Sequence, residues 1–154
     1  MAKKKPLVIT NGVVERLQAG DHLDLSRSTT KTNNTGNTVN KATPVYVTGG
    51  NILLAQANSI STSRVAGLTE TTTNDTDPVD VQTDGIFVAT TGEWDAVTGQ
   101  TGGLTEGAQY FLSETTAGRM TVNAPDIDGN VVAPLGRALS STEFEIEVAQ
   151  PIKL

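Results

Sequence analysis

Cysteine is missing from this chain of 154 residues, which contains a single histidine, His22, and a single tryptophan, Trp94. Without thiols there is no disulfide framework, no thiolate metal site and no cysteine nucleophile. A Ser/His/Asp triad would have to pass through His22, and a histidine-rich zinc site cannot be assembled. Charged residues make up 18% of the chain, below the roughly 25% of an average domain. No apolar run approaches the ~18 residues that span a bilayer. Lys3-Lys4-Lys5 has the basic character of an export signal, yet Leu7-Val8-Ile9 stops at Thr10-Asn11-Gly12, short of the roughly 7–15 apolar residues such a signal uses. The expectation is a chain that neither enters a membrane nor leaves by that route.

Threonine, in about two dozen copies, and 15 glycines fill the space that charge and aromatics leave. Threonine is β-branched and suits a half-buried pleated surface, while glycine supplies the turns between short strands. The composition predicts an all-β protein.

The formal net charge is −6, unevenly spread: residues 1–41 carry seven Lys/Arg against three Asp/Glu, and the remainder four against fourteen. An acidic body argues against nucleic acid as a partner, because phosphate binding needs a basic surface. A basic beginning on an acidic body instead suits an acidic neighbour or the next copy of the chain, through contacts that weaken with salt.

Read in order, Leu7–Thr10 and Val13–Leu17 flank Asn11-Gly12, a pair that fits a type I′ turn and predicts an opening hairpin. His22–Leu25 reads as another short strand. Residues 26–43 are nearly without apolar side chains and predict a long exposed loop, mobile or ordered against another chain. Pro44–Thr48 and Ile52–Ala57 around Gly49-Gly50-Asn51 predict a second hairpin. Arg64–Leu68 is a further strand, and Val79–Gln82 with Ile86–Ala89 are two runs about Asp84-Gly85. Tyr110–Ser113 and Arg119–Val122, Val131–Leu139 interrupted by Pro134, and Glu143–Val148 complete the series, with no convincing amphipathic helix. Short strands at this spacing indicate a barrel or sandwich, behind a basic N-terminal arm. The division expected is an arm and first hairpin over 1–25, a polar loop over 26–43 and a main β domain over 44–154.

The chemistry-bearing residues each have a plainer structural explanation. His22 lies beside Asp21 and Asp24 but without a visible pocket, and reads as a surface strand residue. Asp75, Asp77, Asp80 and Asp84, and again Asp126 and Asp128, offer oxygens that a calcium ion favours, without EF-hand spacing. Glu143, Glu145 and Glu147 share one face of a strand at successive spacings of about 7 Å, within the range of a glycosidase pair, and more simply form a solvent face or a salt-bridging one. The sequons at Asn33 and Asn74 mean little without export. No phosphate-binding glycine loop is present. The expectation is no catalytic residue, no cofactor and no metal. Tyr46, Phe87, Tyr110, Phe111 and Phe144 are expected in the core, and Trp94, in a glycine-flanked loop, is expected to be an interface anchor.

Gly103-Leu104-Thr105-Glu106-Gly107 leading to Tyr110–Ser113, then Gly118–Thr121, Pro125 and Leu135–Ser140 before the alternating Phe144-Glu145-Ile146, resembles small virion proteins of tailed bacteriophages. The opening Lys3–Gly12 and Leu17–Asp21 are similar to the start of the same kind of protein. The resemblance implies a capsid decoration, or cement, protein: an all-β, compact β-barrel or jelly-roll/β-tulip-like domain with an extended basic N-terminal arm, homotrimeric or else homodimeric, seated outside the head where major capsid protein subunits meet. It implies a virion location after synthesis in the host cytoplasm, and neither a nucleic acid nor a membrane as partner. The contact residues expected are Lys3, Lys4, Lys5 and Pro6 with the first hairpin, together with Trp94. The alternative is a head- or tail-fibre adaptor that recognises a receptor, since similar glycine-strand text occurs in fibres.

Overall fold

The computed structural model describes the strands β1 (Leu7–Thr10) and β2 (Val13–Arg16) and residues 28–154. β1 and β2 pair antiparallel, with Thr10 opposite Val13 and Leu7 opposite Arg16. This is the hairpin that the Asn-Gly pair predicts.

Residues 28–82 form a small closed barrel. Its strands are β3 (Ser28–Asn33), β4 (Pro44–Thr48), β5 (Asn51–Leu54), β6 (Gly67–Thr69) and β7 (Pro78–Gln82), in the order β3-β5-β4-β6-β7. The β3–β5 pairing is parallel, and the others, including the closing β3–β7 pairing, are antiparallel. The β4–β5 hairpin turns at Gly49-Gly50, both at positive φ. Val39, Val45, Ile52, Val79 and Val81 cluster here; slim, branched side chains suit the interior of so narrow a barrel.

The second half is a five-stranded antiparallel sheet. After β8 (Gly85–Val88) come α1 (Thr91–Thr98), β9 (Gln109–Leu112), β10 (Met120–Thr121), β11 (Val131–Val132), β12 (Pro134–Ala138), β13 (Glu143–Ile146) and β14 (Ile152–Lys153). The sheet order is β10-β9-β12-β13-β8, and β11 pairs separately with β14. Gly136 sits where β12 is pressed against β13: a Cβ there would lie 2.0 Å from the Glu145 carbonyl oxygen, so no larger residue fits without moving backbone. A larger core of Phe87, Trp94, Tyr110, Leu112, Leu135 and Phe144 also takes in Ala42, Ala55, Ala57 and Leu68 from the barrel half, joining the two. All-β organisation with a closed barrel is the observed architecture.

Three sequence expectations need correction. The stretch 26–43 is not one exposed loop: Ser28–Asn33 is a barrel strand paired with β7 and β5, and Val39 and Ala42 are buried. Its polar side chains hid a strand whose ordering is stabilised by pairing with residues about fifty positions away, so the barrel begins at 28 and not at 44. Val79–Gln82 and Ile86–Ala89 do not form a hairpin either, because β7 closes the barrel while β8 pairs with β13 in the other sheet. Gln82 makes the crossing, its Nε2 donating to the carbonyls of Asp84 at 2.9 Å and Ile86 at 3.1 Å. Finally, the segment around Trp94, expected as loop, is the helix α1.

Candidate docking surface

Lys3, Lys4, Lys5 and Pro6, the arm expected to make contact, lie outside the described residues, as does His22. Of the contacts expected, the first hairpin is described as the paired strands β1 and β2, and Trp94 overturns its expectation. Trp94 is 0% exposed, with its ring 5.7 Å from those of Phe87 and Phe144 and its indole N–H bonded to the Thr142 carbonyl at 3.0 Å. A residue so enclosed is core and offers nothing to a partner. Phe87, Tyr110 and Phe144 are buried with it, and Tyr46 and Phe111 are half-buried.

The sequence did carry a signal for this helix. Thr90 and Glu93 form a capping box: the Thr90 hydroxyl accepts from the Glu93 N–H at 3.2 Å, and Glu93 Oε2 accepts from the Thr90 N–H at 2.7 Å. Gly99 ends the helix in the left-handed conformation, and Trp94 and Val97, three apart, face inward. The backbone hydrogen bond from Thr90 lowers the Glu93 pKa against a smaller rise from burial, helped by Lys41, whose ammonium stands 3.7 Å from Oε2. The glycines that follow act as a bracket. Gly102 and Gly103 donate to the Asp95 carboxylate at 3.1 and 2.7 Å.

The other singled-out residues serve the fold in the same way. Asn33, the first sequon asparagine, is 0% exposed; it donates to the carbonyls of Asn37 and Thr73 and accepts from the backbone and hydroxyl of Thr35. Asn74 accepts from Thr38, and Asp75 from the Gly36 N–H. Asp80 accepts from Thr30 across the β3–β7 ladder. The polar stretches 33–43 and 69–77 thus close on one another, with Thr69 bonded to Asn40 and Thr43. Among the described residues there is no group of three or more acidic or histidine side chains able to hold a metal ion, and no buried polar side-chain atom lacks a partner. No helix among them is long and apolar enough to cross a membrane.

Three surface features remain. Glu143 and Glu145 alternate with the buried Phe144 and Ile146, so the predicted acidic stripe faces outward, and Glu145 bonds Arg137 at 3.0 Å. Beside the stripe, on the sheet's edge strand β8, Val88 lies opposite Glu143 and Ile86 opposite Glu145, with 58% and 53% of their surface exposed. An open, polar cleft of about 870 Å³ runs along β9 and β10, with Phe111, Glu114, Arg119 and Asp126 in its walls.

A scan against protein-family models finds no match for this chain, and a search of curated proteins likewise returns none.

Proposed function

We propose that this chain is a structural protein of a tailed-phage virion that binds outside the capsid at junctions between major capsid protein subunits and stabilises the head. The observation that carries this reading is the division of charge: a basic opening segment with Lys3, Lys4 and Lys5 precedes a body with fourteen acidic and four basic residues after position 41. Polar side chains such as Asn33, Thr69 and Asp95 tie the body's loops together, as a wedge would need. The resemblance of its glycine-strand passages to decoration proteins points the same way. A plug that binds only the assembled junction stabilises it by mass action and needs no turnover. Binding several subunits at once lets modest contacts act together.

The test is deletion of residues 1–6 followed by measurement of occupancy on purified particles across salt concentrations. Occupancy should fall for the deletion, and salt should weaken binding of the intact chain; occupancy unchanged in both respects rejects the arm's role. Labelled protein spread over the shell supports decoration, whereas label at one vertex or on projecting fibres supports a fibre adaptor. The cleft bearing Phe111 is the feature that favours this second reading, because a half-buried ring among hydroxyls and carboxylates suits a glycan.

A further inference from the structure

The cleft along β9 and β10 has an aromatic floor that strand geometry sets. Tyr110 and Leu112 are fully enclosed in the core, so alternation along β9 turns Phe111, between them, to the outer face of the sheet. There it lies opposite Thr121 of β10 on one side and Pro134 of β12 on the other. Phe111 is half-buried, whereas Phe87, Trp94, Tyr110 and Phe144 are buried. β10 is the outermost strand and only two residues long, so no further described strand covers this floor.

Polar groups stand around the ring in a fixed arrangement. Glu114 Oε2 accepts from Asn130 Nδ2 at 2.7 Å and its backbone carbonyl accepts from Gln56 Nε2 at 2.9 Å, so the carboxylate is anchored by one oxygen. Arg119 lies against the end of α1: a Cβ on Gly99 would be 3.3 Å from Arg119 Nη1, a place where the negative end of a helix favours a cation. The side chains of Arg119 and Asp126 have no ion-pair or hydrogen-bond partner among the described residues. Buried Pro125 pins the loop that carries Asp126. The cleft thus combines an apolar plate with separate donors and acceptors, and its volume of about 870 Å³ falls within the roughly 300–1,000 Å³ of small-molecule sites.

That combination suits a sugar. A pyranose presents C–H groups on its face, which the electron-rich face of a phenyl ring attracts, and hydroxyls at its edge, which donate to carboxylates and accept from a guanidinium. Charge narrows the class. Glu114 and Asp126 outweigh Arg119 within the cleft, and the chain after position 41 carries fourteen acidic residues against four basic ones, so phosphorylated or uronate chains are repelled. We propose that the cleft is a binding site for a neutral oligosaccharide, with one sugar ring stacked on Phe111 and its hydroxyls held by Glu114, Arg119 and Asp126. The assignment rests on the cleft alone and goes beyond the shell reading; for a fibre adaptor it names the class of ligand.

The experiment is calorimetric titration of the purified full chain with maltohexaose, cellohexaose, mannohexaose and N-acetylchitohexaose, with polygalacturonate as the acidic arm. Fluorescence of buried Trp94 reports that each variant is folded. At least one neutral probe should bind with a Kd of about 1 mM or tighter. Phe111→Leu, which keeps an apolar side chain and loses the ring, should weaken that binding at least about tenfold, as should Asp126→Ala and Arg119→Ala. Ile86→Ser, on the opposite edge strand, should leave it unchanged. Absence of binding by every neutral probe, tighter binding of polygalacturonate, or an affinity indifferent to Phe111→Leu overturns the proposal. No particle enters the titration, so its failure and that of the shell reading are separate results.

Discussion

The indole nitrogen of Trp94 is tied to the carbonyl oxygen of Thr142, and this bond joins helix α1 to the turn that leads into β13. The same ring packs against Phe87 of β8 and Phe144 of β13, so one side chain fixes the helix, the turn and two strands together. Truncating it to Ala should cost about 3–5 kcal/mol of stability. Trp94→Phe should cost less, about 1–3 kcal/mol, through lost volume and the loss of one of the two hydrogen bonds to the Thr142 carbonyl, which keeps the Ala89 N–H. Chemical denaturation followed by circular dichroism measures both.

Asn33 holds two polar segments by four hydrogen bonds from a fully buried position. Asn33→Ala should destabilise by about 1–3 kcal/mol, because the Asn37 and Thr73 carbonyls each lose one of two donors and the Thr35 N–H loses its acceptor. Asn33→Asp presents a carboxylate to the Asn37 and Thr73 carbonyls, which raises its folded-state pKa above the unfolded value. That variant should be least stable at neutral pH and recover as pH falls and the carboxyl takes up its proton, a trend opposite to ordinary acid denaturation and visible in melting temperatures.

The capping box gives α1 an acid-sensitive start. Glu93 titrates below its ordinary value of 4.5 because it accepts the Thr90 N–H, so its contribution is present above the unfolded pKa and is lost as pH falls through the lower folded one. Glu93→Gln should flatten that acid limb slightly, the effect being small for so exposed a carboxylate. Thr90→Ala should cost about 1 kcal/mol near neutral pH. Thermal melts across pH 2–7 of wild type and both variants check this, with the range set by ordinary carboxylate titration.

Thr76 adopts φ 69° although it is β-branched, and it is held there by its N–H donating to the Asn33 carbonyl at 2.7 Å. Left-handed backbone costs such a residue about 1–2 kcal/mol. Thr76→Gly should therefore stabilise the protein by about 0.5–1 kcal/mol after the loss of chain entropy, seen as a higher denaturation midpoint with an unchanged slope.

How much was legible varies by residue. Asn11-Gly12 and Gly49-Gly50 announced their hairpins because turn chemistry is local, and Glu143-Phe144-Glu145-Ile146 announced its buried and exposed faces because alternation has period two. The glycines that flank Trp94 suggest a loop, whereas Gly99 ends the helix that the Thr90–Glu93 box begins. Of the candidate site, the acidic stripe was readable, whereas the cleft beside Phe111 was not, being assembled from β9, β10 and the segments 113–116 and 122–126.

The sequence by itself determined the β class, the two tight hairpins and the separation of a basic opening from an acidic body, since propensity, turn geometry and charge are properties of neighbouring residues. The tertiary structure alone decided that Ser28–Asn33 is a barrel strand, that β7 and β8 part company at Gln82, and that Trp94 lies inside. Those outcomes depend on partners distant along the chain, such as Thr30 with Asp80 and Trp94 with Thr142. Pairing energy and burial of that kind arise only when the whole chain closes around one core.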